Sequence, residues 1–237
     1  MSRTVTLLSV PVSLMQIEEA AAAIDRFLSE DRLHRIVTVN PEFLVTANGD
    51  PNFRKLLASA DLATADGTGI IFAARLSGTA AAFSERVTGV VLTELLLKRA
   101  DAQNLPVLIV LRHNSLTAPE LLRQKLRLRY PQLRVTVLRD PITAEAARDA
   151  VLVFAALGSP SQEFWIAEHA GMFPAARVAI GVGGTFDFIS GTMHRAPALL
   201  RNLGLEWLWR LILEPKRIRR ICRAVIVFPY LLLKQRS

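Results

Sequence analysis

The chain has 237 residues, a formal net charge of +8 and a hydrophobic fraction of 51%. That length suits one domain, or one domain with an appendage, and allows a sizeable core. The single cysteine, Cys222, excludes an intrachain disulfide and a cysteine-based zinc site, and no uninterrupted apolar run reaches the roughly 18–20 residues that span a bilayer.

The first residues, with Arg3 ahead of an apolar stretch, lack the basic start and small-residue cleavage site of a signal peptide, so the sequence reads as cytoplasmic. A strand is predicted over 5–8, a helix over 15–28 and a second strand over 35–39. Helical periodicity follows over 43–60, broken near 49–51. A short strand at 61–64 leads to helices at 69–76 and 90–102. Strand 106–111, helix 119–129, strand 134–138, a short helix at 144–150, strand 151–156, helix 163–170 and strand 177–180 complete the series. This alternation predicts a Rossmann-like α/β fold: a mostly parallel sheet with helices on both faces. Residues 1–194 read as that core, and 195–237 as a helical appendage.

In an open parallel sheet, ligands bind beyond the carboxyl ends of the strands. Four strand ends carry polar or glycine-rich loops: Thr38-Val39-Asn40-Pro41-Glu42, Ala65-Asp66-Gly67-Thr68-Gly69, Leu157-Gly158-Ser159-Pro160-Ser161-Gln162-Glu163 and Gly181-Val182-Gly183-Gly184-Thr185-Phe186-Asp187. Asp66, with glycine beside it to admit a substrate, is placed as a general base; the other reading is a turn or helix-capping aspartate. Thr38 and Asn40 lie two apart and face one side of a strand, where they can hydrogen-bond sugar hydroxyls; Asn40 before Pro41 also suits an Asx-turn. Arg86 can hold a phosphate bidentately or form a surface ion pair. Gly181, Gly183 and Gly184 resemble a phosphate-binding turn but match neither the dinucleotide fingerprint nor a P-loop. Asp187 is placed to hold a ribose or base, or to cap a helix. The four histidines are scattered, and there is no Asp-x-Asp, His-x-x-x-His or cysteine pair, so no metal or other cofactor is expected. A diphosphate would then be met by arginines and helix N-termini.

All the net charge sits in residues 195–237, which hold ten Lys/Arg and two Glu, together with Trp207, Trp209, Phe228 and Tyr230. Residues 197–213 are amphipathic, with Leu200, Leu203, Trp207, Leu208 and Leu211 near one face. Pro215 suits the first turn of a new helix. On a helical wheel, Lys216, Arg217, Arg219, Arg220 and Arg223 share an arc of about 160°, opposite Ile218, Ile221, Cys222, Val225, Phe228 and Leu232. That pattern predicts a helix lying on an anionic membrane surface; the alternative is a terminal helix packed on the domain with a solvated basic face. Nucleic acid is disfavoured, because Ile218, Val225, Phe228 and Leu232 would be left exposed. The apolar content also leaves room for a self-association surface and hence a homo-oligomer.

The motifs recur in an order that resembles the WecG/TagA/CpsF glycosyltransferases across nearly the whole chain. They are Thr38-x-Asn40, Ala65-Asp66-Gly67-x-Gly69, Glu85-Arg86-Val87-x-Gly89, Leu157-Gly158-x-Pro160-x-Gln162-Glu163, Gly181-Val182-Gly183-Gly184-x-Phe186-Asp187, Ser190-Gly191, Arg195-Ala196-Pro197, Gly204-Leu205-Glu206-Trp207-x-x-Arg210-Leu211 and Glu214-Pro215-x-Arg217. The resemblance implies an inverting, metal-independent transfer of a sugar of the N-acetylmannosamine type, or a related hexose, from a UDP-sugar. It implies a polyprenyl-diphosphate-linked sugar as acceptor, on the inner face of the cytoplasmic membrane, in the synthesis of teichoic acid or other cell-surface polysaccharide. Asp66 matches the family's proposed base, and Thr38, Asn40, Arg86 and Gln162 its substrate-binding residues. Arg210, Arg217 and Arg220 match arginines thought to reach substrate diphosphate from the tail. The chain departs from the pattern after strand 106–111, where Arg112-His113-Asn114-Ser115 replaces a glycine-rich turn, and between 138 and 151, where one small helix fits. A competing reading is a nucleotide-sugar-binding or scaffold protein that keeps the fold without the chemistry.

Overall fold

The computed structural model describes residues 3–78, 86–197, 199, 200 and 205–236. Eight strands form one sheet in the order β1-β2-β4-β3-β8-β7-β5-β6. They are β1 (Arg3–Leu7), β2 (Val10–Leu14), β3 (His34–Val39), β4 (Leu62–Ala65), β5 (Pro106–Leu111), β6 (Arg134–Arg139), β7 (Leu152–Ala156) and β8 (Val178–Gly181). The β1–β2 pair is antiparallel and every other pairing is parallel. The expected α/β architecture is therefore present, with one strand more than the sequence reading supplied.

That extra strand is β2. The hairpin turn is Leu8–Ser9, with φ of 47° and 65°. Two central residues at positive φ make the mirror-image turn whose twist suits a hairpin, a turn usually announced by Asn-Gly. Here neither residue is Gly, Asn or Asp, and Pro11 further hides the strand. β2 meets β4 at one register pair, Ser13 opposite Thr64, so Pro11 interrupts no long ladder.

The helices named below are α1 (Ile17–Ser29), α2 (Pro41–Gly49), α3 (Pro51–Ala58), α4 (Thr68–Leu76), α5 (Gly89–Gln103), α6 (Pro119–Arg129), α7 (Ala144–Ala147), α8 (Ser161–Glu168) and α9 (Thr185–Ile189). The break expected near 49–51 is real: Asp50 ends α2 and caps α3, its Oδ1 accepting from Asn52 N at 2.9 Å and Phe53 N at 3.1 Å. Between β6 and β7 only the four-residue α7 fits, as the short segment predicts.

Side chains alternate between the two faces, as strand geometry requires. Ile36, Ile109, Phe154 and Ile180 pack with α1, α5 and α6 through Ile24, Leu96 and Leu122. On the opposite face, Val37, Val39, Ala63 and Ala65 pack with β1, β2 and helices α2–α4. Leu108, Val110, Val153 and Ala179 pack with Trp165 and Ile166 of α8. With both faces covered, the inner parallel strands open only at their ends.

The C-terminal tail closes over one of those ends. It comprises helical pieces Glu206–Leu213, Ile218–Cys222 and Phe228–Arg236, with a 3₁₀ turn at Pro215–Arg217 and a π-helical turn at Arg223–Val227. Phe228 is 2% exposed and belongs to the cluster with α2, α4 and the β1–β2 hairpin, with Leu231 and Leu232 packed beside it. Gln235 Oε1 accepts from Leu8 N in the hairpin turn at 3.3 Å.

This corrects the wheel drawn from sequence. A π turn closes with i→i+5 bonds and rotates everything after it relative to a uniform 100° step. Phe228 and Leu232, assigned outward with Ile218 and Val225, turn toward the core, while Ile218, Val225, Ile226, Tyr230 and Leu233 are exposed. Arg217 and Arg220 of the basic arc line a cavity, whereas Arg219 and Arg223 are exposed. The argument against nucleic acid that rested on an exposed Phe228 and Leu232 accordingly loses those two residues. Among the described residues no helix is long and apolar enough to cross a membrane.

Candidate active site

A cavity of about 940 Å³ lies over the carboxyl ends of β3, β4, β5, β7 and β8, with the tail as its outer wall. Its size is at the upper end of the range for small-molecule sites. Thr38, Asn40, Asp66, Arg86, Gln162, Gly181, Gly183, Asp187, Arg217 and Arg220 all line it. The sequence reading therefore collected into one place residues spread over 183 positions of chain. Arg210 belongs to the helix Glu206–Leu213, but its side chain lies outside the described residues. Ser84 and Glu85, which precede Arg86, lie outside them as well.

Asp66 leaves β4 just before Gly67, whose φ of 119° only glycine adopts readily. Its backbone N–H donates to Val39 O at 2.8 Å, which ties the loop after β4 to the end of β3. Its Oδ2 accepts from Gly89 N at 3.2 Å, in the first turn of α5. The carboxylate thus faces the positive end of a 15-residue helix. Thr64, fully buried, donates to Val87 O at 2.9 Å and fixes that helix start beside β4. A Cβ on Gly89 would come 3.4 Å from Thr38 Oγ1 and 4.0 Å from Asp66 Oδ2. Thr38, Asp66 and the α5 N-terminus thus converge around Gly89.

Gly69 serves a similar end on the other side. A Cβ there would meet Pro41 Cγ at 2.8 Å and Phe228 Cε1 at 3.9 Å. The first turn of α4, the start of α2 and the tail consequently meet beside Asp66. Asn40 caps α2, its Oδ1 accepting from Phe43 N at 3.0 Å. The capping reading of Asn40 is realised in its oxygen, while the side chain still lines the cavity.

Gln162 is a brace between two strand ends. Its Oε1 accepts from Gly158 N at 3.2 Å and Gly183 N at 2.9 Å, and its Nε2 donates to Glu163 Oε1 at 2.6 Å. Gly181 has no room for a Cβ because the Gln162 side chain occupies that space. Gln162 and Glu163 are each 3% exposed. Burial pushes the Glu163 carboxyl from its ordinary 4.5 up to about 7, against the lowering effect of hydrogen bonds from Gln162 and Ser159.

A stability prediction follows from Glu163. Between pH 4.5 and 7 the folded protein keeps a proton that the unfolded chain has released, so this residue makes stability fall as pH rises through that window. Below 4.5 the stability it contributes is fully present, and above about 7 it is lost, at about 3 kcal/mol by linkage. Glu163→Gln keeps an acceptor for Gln162 and removes the titration. Thermal melts at pH 5 and pH 8 should show the variant gaining on the wild-type protein at the higher pH. An equal offset at both pH values would refute the assignment.

Asp187 is partly committed within the protein. Its Oδ1 accepts from Thr117 Oγ1 at 2.6 Å, and Thr117 Oγ1 also lies 3.0 Å from Ser190 Oγ and 3.4 Å from Thr192 Oγ1. This hydroxyl cluster joins the loop after β5 to the segment after α9. The same loop is held by Arg139, whose Nη1 donates to the carbonyls of Arg112 at 3.2 Å and His113 at 2.6 Å.

The tail supplies its own charges. Arg220 Nε lies 2.6 Å from Glu42 Oε1 in the first turn of α2, and Arg217 Nε lies 2.5 Å from Glu214 Oε2. Sequence reasoning missed Phe228 as a packing residue, since its burial depends on the π turn. It also left Arg112 and Arg195 outside the site, although both line the cavity. Among the described residues no group of three or more His, Cys, Asp or Glu comes together as a metal site.

Residues 5–237 match the Glycosyl transferase WecG/TagA/CpsF family. The chain is also similar to an N-acetylglucosaminyldiphosphoundecaprenol N-acetyl-beta-D-mannosaminyltransferase of Bacillus spizizenii, with 32% identity over 203 residues. The alignment covers 82% of this chain and 77% of the relative.

Proposed function

The chain belongs to the WecG/TagA/CpsF glycosyltransferase family, and on that premise we propose that it transfers a sugar of the N-acetylmannosamine type, or a related hexose, from a UDP-sugar to a polyprenyl-diphosphate-linked sugar. The observation that carries this reading is the single cavity in which a strand-end carboxylate, polar residues and several arginines meet. The name of the Bacillus relative supplies the class of acceptor and of transferred sugar.

In this reading the acceptor hydroxyl attacks the anomeric carbon from the face opposite the leaving group. The new C–O bond forms as the bond to UDP breaks, with inversion, and Asp66 takes the hydroxyl proton. Thr38 and the Asn40 amide hold sugar hydroxyls. Arg86, Arg217 and Arg220 stabilise the negative charge that grows on the departing diphosphate, without a metal ion or other cofactor. Glu42 and Glu214 hold the two tail arginines in place until substrate arrives.

Site and acceptor also suggest where the enzyme works. Ile218, Val225, Ile226, Tyr230 and Leu233 share the exposed surface of the tail with Arg219 and Arg223. Apolar and basic groups together suit the cytoplasmic face of an anionic membrane, where a lipid-linked acceptor resides. The decisive experiment is UDP release from a panel of UDP-sugars in the presence of a prenyl-diphosphate-linked N-acetylglucosamine. Acceptor-dependent release with at least one donor is expected. No release with any donor, combined with tight UDP-sugar binding, would favour a non-catalytic binding protein.

A further inference from the structure

Among the described residues five arginines line the cavity: Arg86, Arg112, Arg195, Arg217 and Arg220. Two of them, Arg217 and Arg220, are paired with glutamates of the protein. Arg195 is different. Its Nε is buried and has no hydrogen-bond partner among the described residues. A buried N–H of a charged group left without an acceptor is unfavourable by about 1–3 kcal/mol or more, so its presence in a cavity wall calls for an acceptor from a ligand. Arg112 stands exposed at the end of β5, on the same cavity, and no acidic side chain lies within ion-pair distance of it among the described residues.

Both arginines are carried by segments that the protein holds rigid. Arg139 donates to the carbonyls on either side of the turn that follows Arg112, including Ser115 O at 3.4 Å. The Thr117–Asp187–Ser190–Thr192 cluster ties this loop to the chain leading into Arg195. Met193 N donates to Asp187 O at 2.9 Å, and Trp209 Nε1 donates to His194 O at 3.2 Å, which fixes the residues just before Arg195. Arginines carried on a fixed backbone suit recognition of an oxyanion, because little backbone freedom is lost on binding.

We propose that Arg112 and Arg195 form an anion subsite for the nucleotide-sugar donor, in addition to the tail arginines, which takes either its diphosphate or a carboxylate on the transferred sugar. The inference rests on the UDP-sugar reading above and adds two donor-binding residues to it.

Calorimetric titration of the full-length protein with uridine, UDP, a neutral UDP-hexosamine and the matching UDP-uronate separates the cases. Arg112→Gln, Arg195→Gln and the charge-keeping Arg195→Lys are compared with the wild-type protein, with thermal melts to verify folding. A loss of about tenfold or more for UDP and both donors, with uridine unchanged, supports the diphosphate. The same loss confined to the uronate donor supports the carboxylate. Arg195→Lys should retain more affinity than Arg195→Gln if charge is what matters. Wild-type affinity of Arg112→Gln and of a folded Arg195 variant for all four ligands would overturn the subsite. Failure of the wild-type protein to bind UDP at all would instead overturn the nucleotide-sugar reading itself.

Discussion

Asp66→Asn is expected to lower turnover by about 10²–10⁴-fold, the range for loss of a positioned general base, while UDP-sugar affinity stays within a few-fold. The geometry makes this substitution informative. Asn is nearly isosteric, and its Oδ1 can accept from Gly89 N as the Asp66 carboxylate does at 3.2 Å. The turn at Gly67, the close approach of Gly69 to Pro41 and the α5 N-terminus stay as they are. What disappears is the basicity. A fall in kcat with binding intact places Asp66 in the chemical step. Turnover equal to the wild-type protein would remove it from that role. A parallel loss of binding and turnover would mean that the carboxylate holds the substrate.

How far the site could be read in advance depended on how local each signal was. The Asp66 turn is local: Gly67 supplies a positive φ and Gly69 the space for Pro41, so both glycines mark the place in one short string of residues. Strands β3–β8 were equally legible, because each is a short run between turn signals and all but the edge strand β6 are apolar and buried on both faces. Gln162 was identified as a binding residue, but its bracing role requires Gly158 and Gly183, which come from loops after different strands. Nothing in the sequence near Gln162 announces that meeting. Strand β2 was hidden by a hairpin turn made of Leu8 and Ser9, which carry none of the usual composition. In the tail, the wheel set one group of apolar residues opposite the basic ones, yet the π turn at Arg223–Val227 reassigns which of them face the protein. A wheel assumes one constant angle, and one changed turn is enough to exchange an outward Phe228 for a buried one.

Removing residues 214–237 is expected to abolish transfer to a lipid-linked acceptor, by more than about 100-fold, and to leave a folded α/β core. Two distinct losses contribute. Arg217 and Arg220 vanish from the cavity wall, and each charge-assisted contact to a substrate diphosphate is worth about 1.5–3 kcal/mol. Phe228 also leaves its position near Gly69, so the turn that carries Asp66 loses one of its supports. Burial of that ring is worth about 2–3 kcal/mol, against the 5–15 kcal/mol that typically separates folded from unfolded protein. The core should therefore survive with a lowered Tm. The Arg220–Glu42 pair adds little to this sum, because Arg220 is 41% exposed and partly solvated ion pairs contribute about 1 kcal/mol or less. Site completion and membrane docking are then separated by the choice of acceptor. A tail that only docks would leave full activity on a short-chain, water-soluble acceptor and lose it only on acceptor embedded in vesicles. A tail that completes the site loses both, which is the expected result. Flotation with anionic vesicles tests the docking half independently: the full chain should float and the truncated chain should not. Equal flotation of the two would assign membrane contact to the core, and full activity on the soluble acceptor would show that the cavity functions without its outer wall.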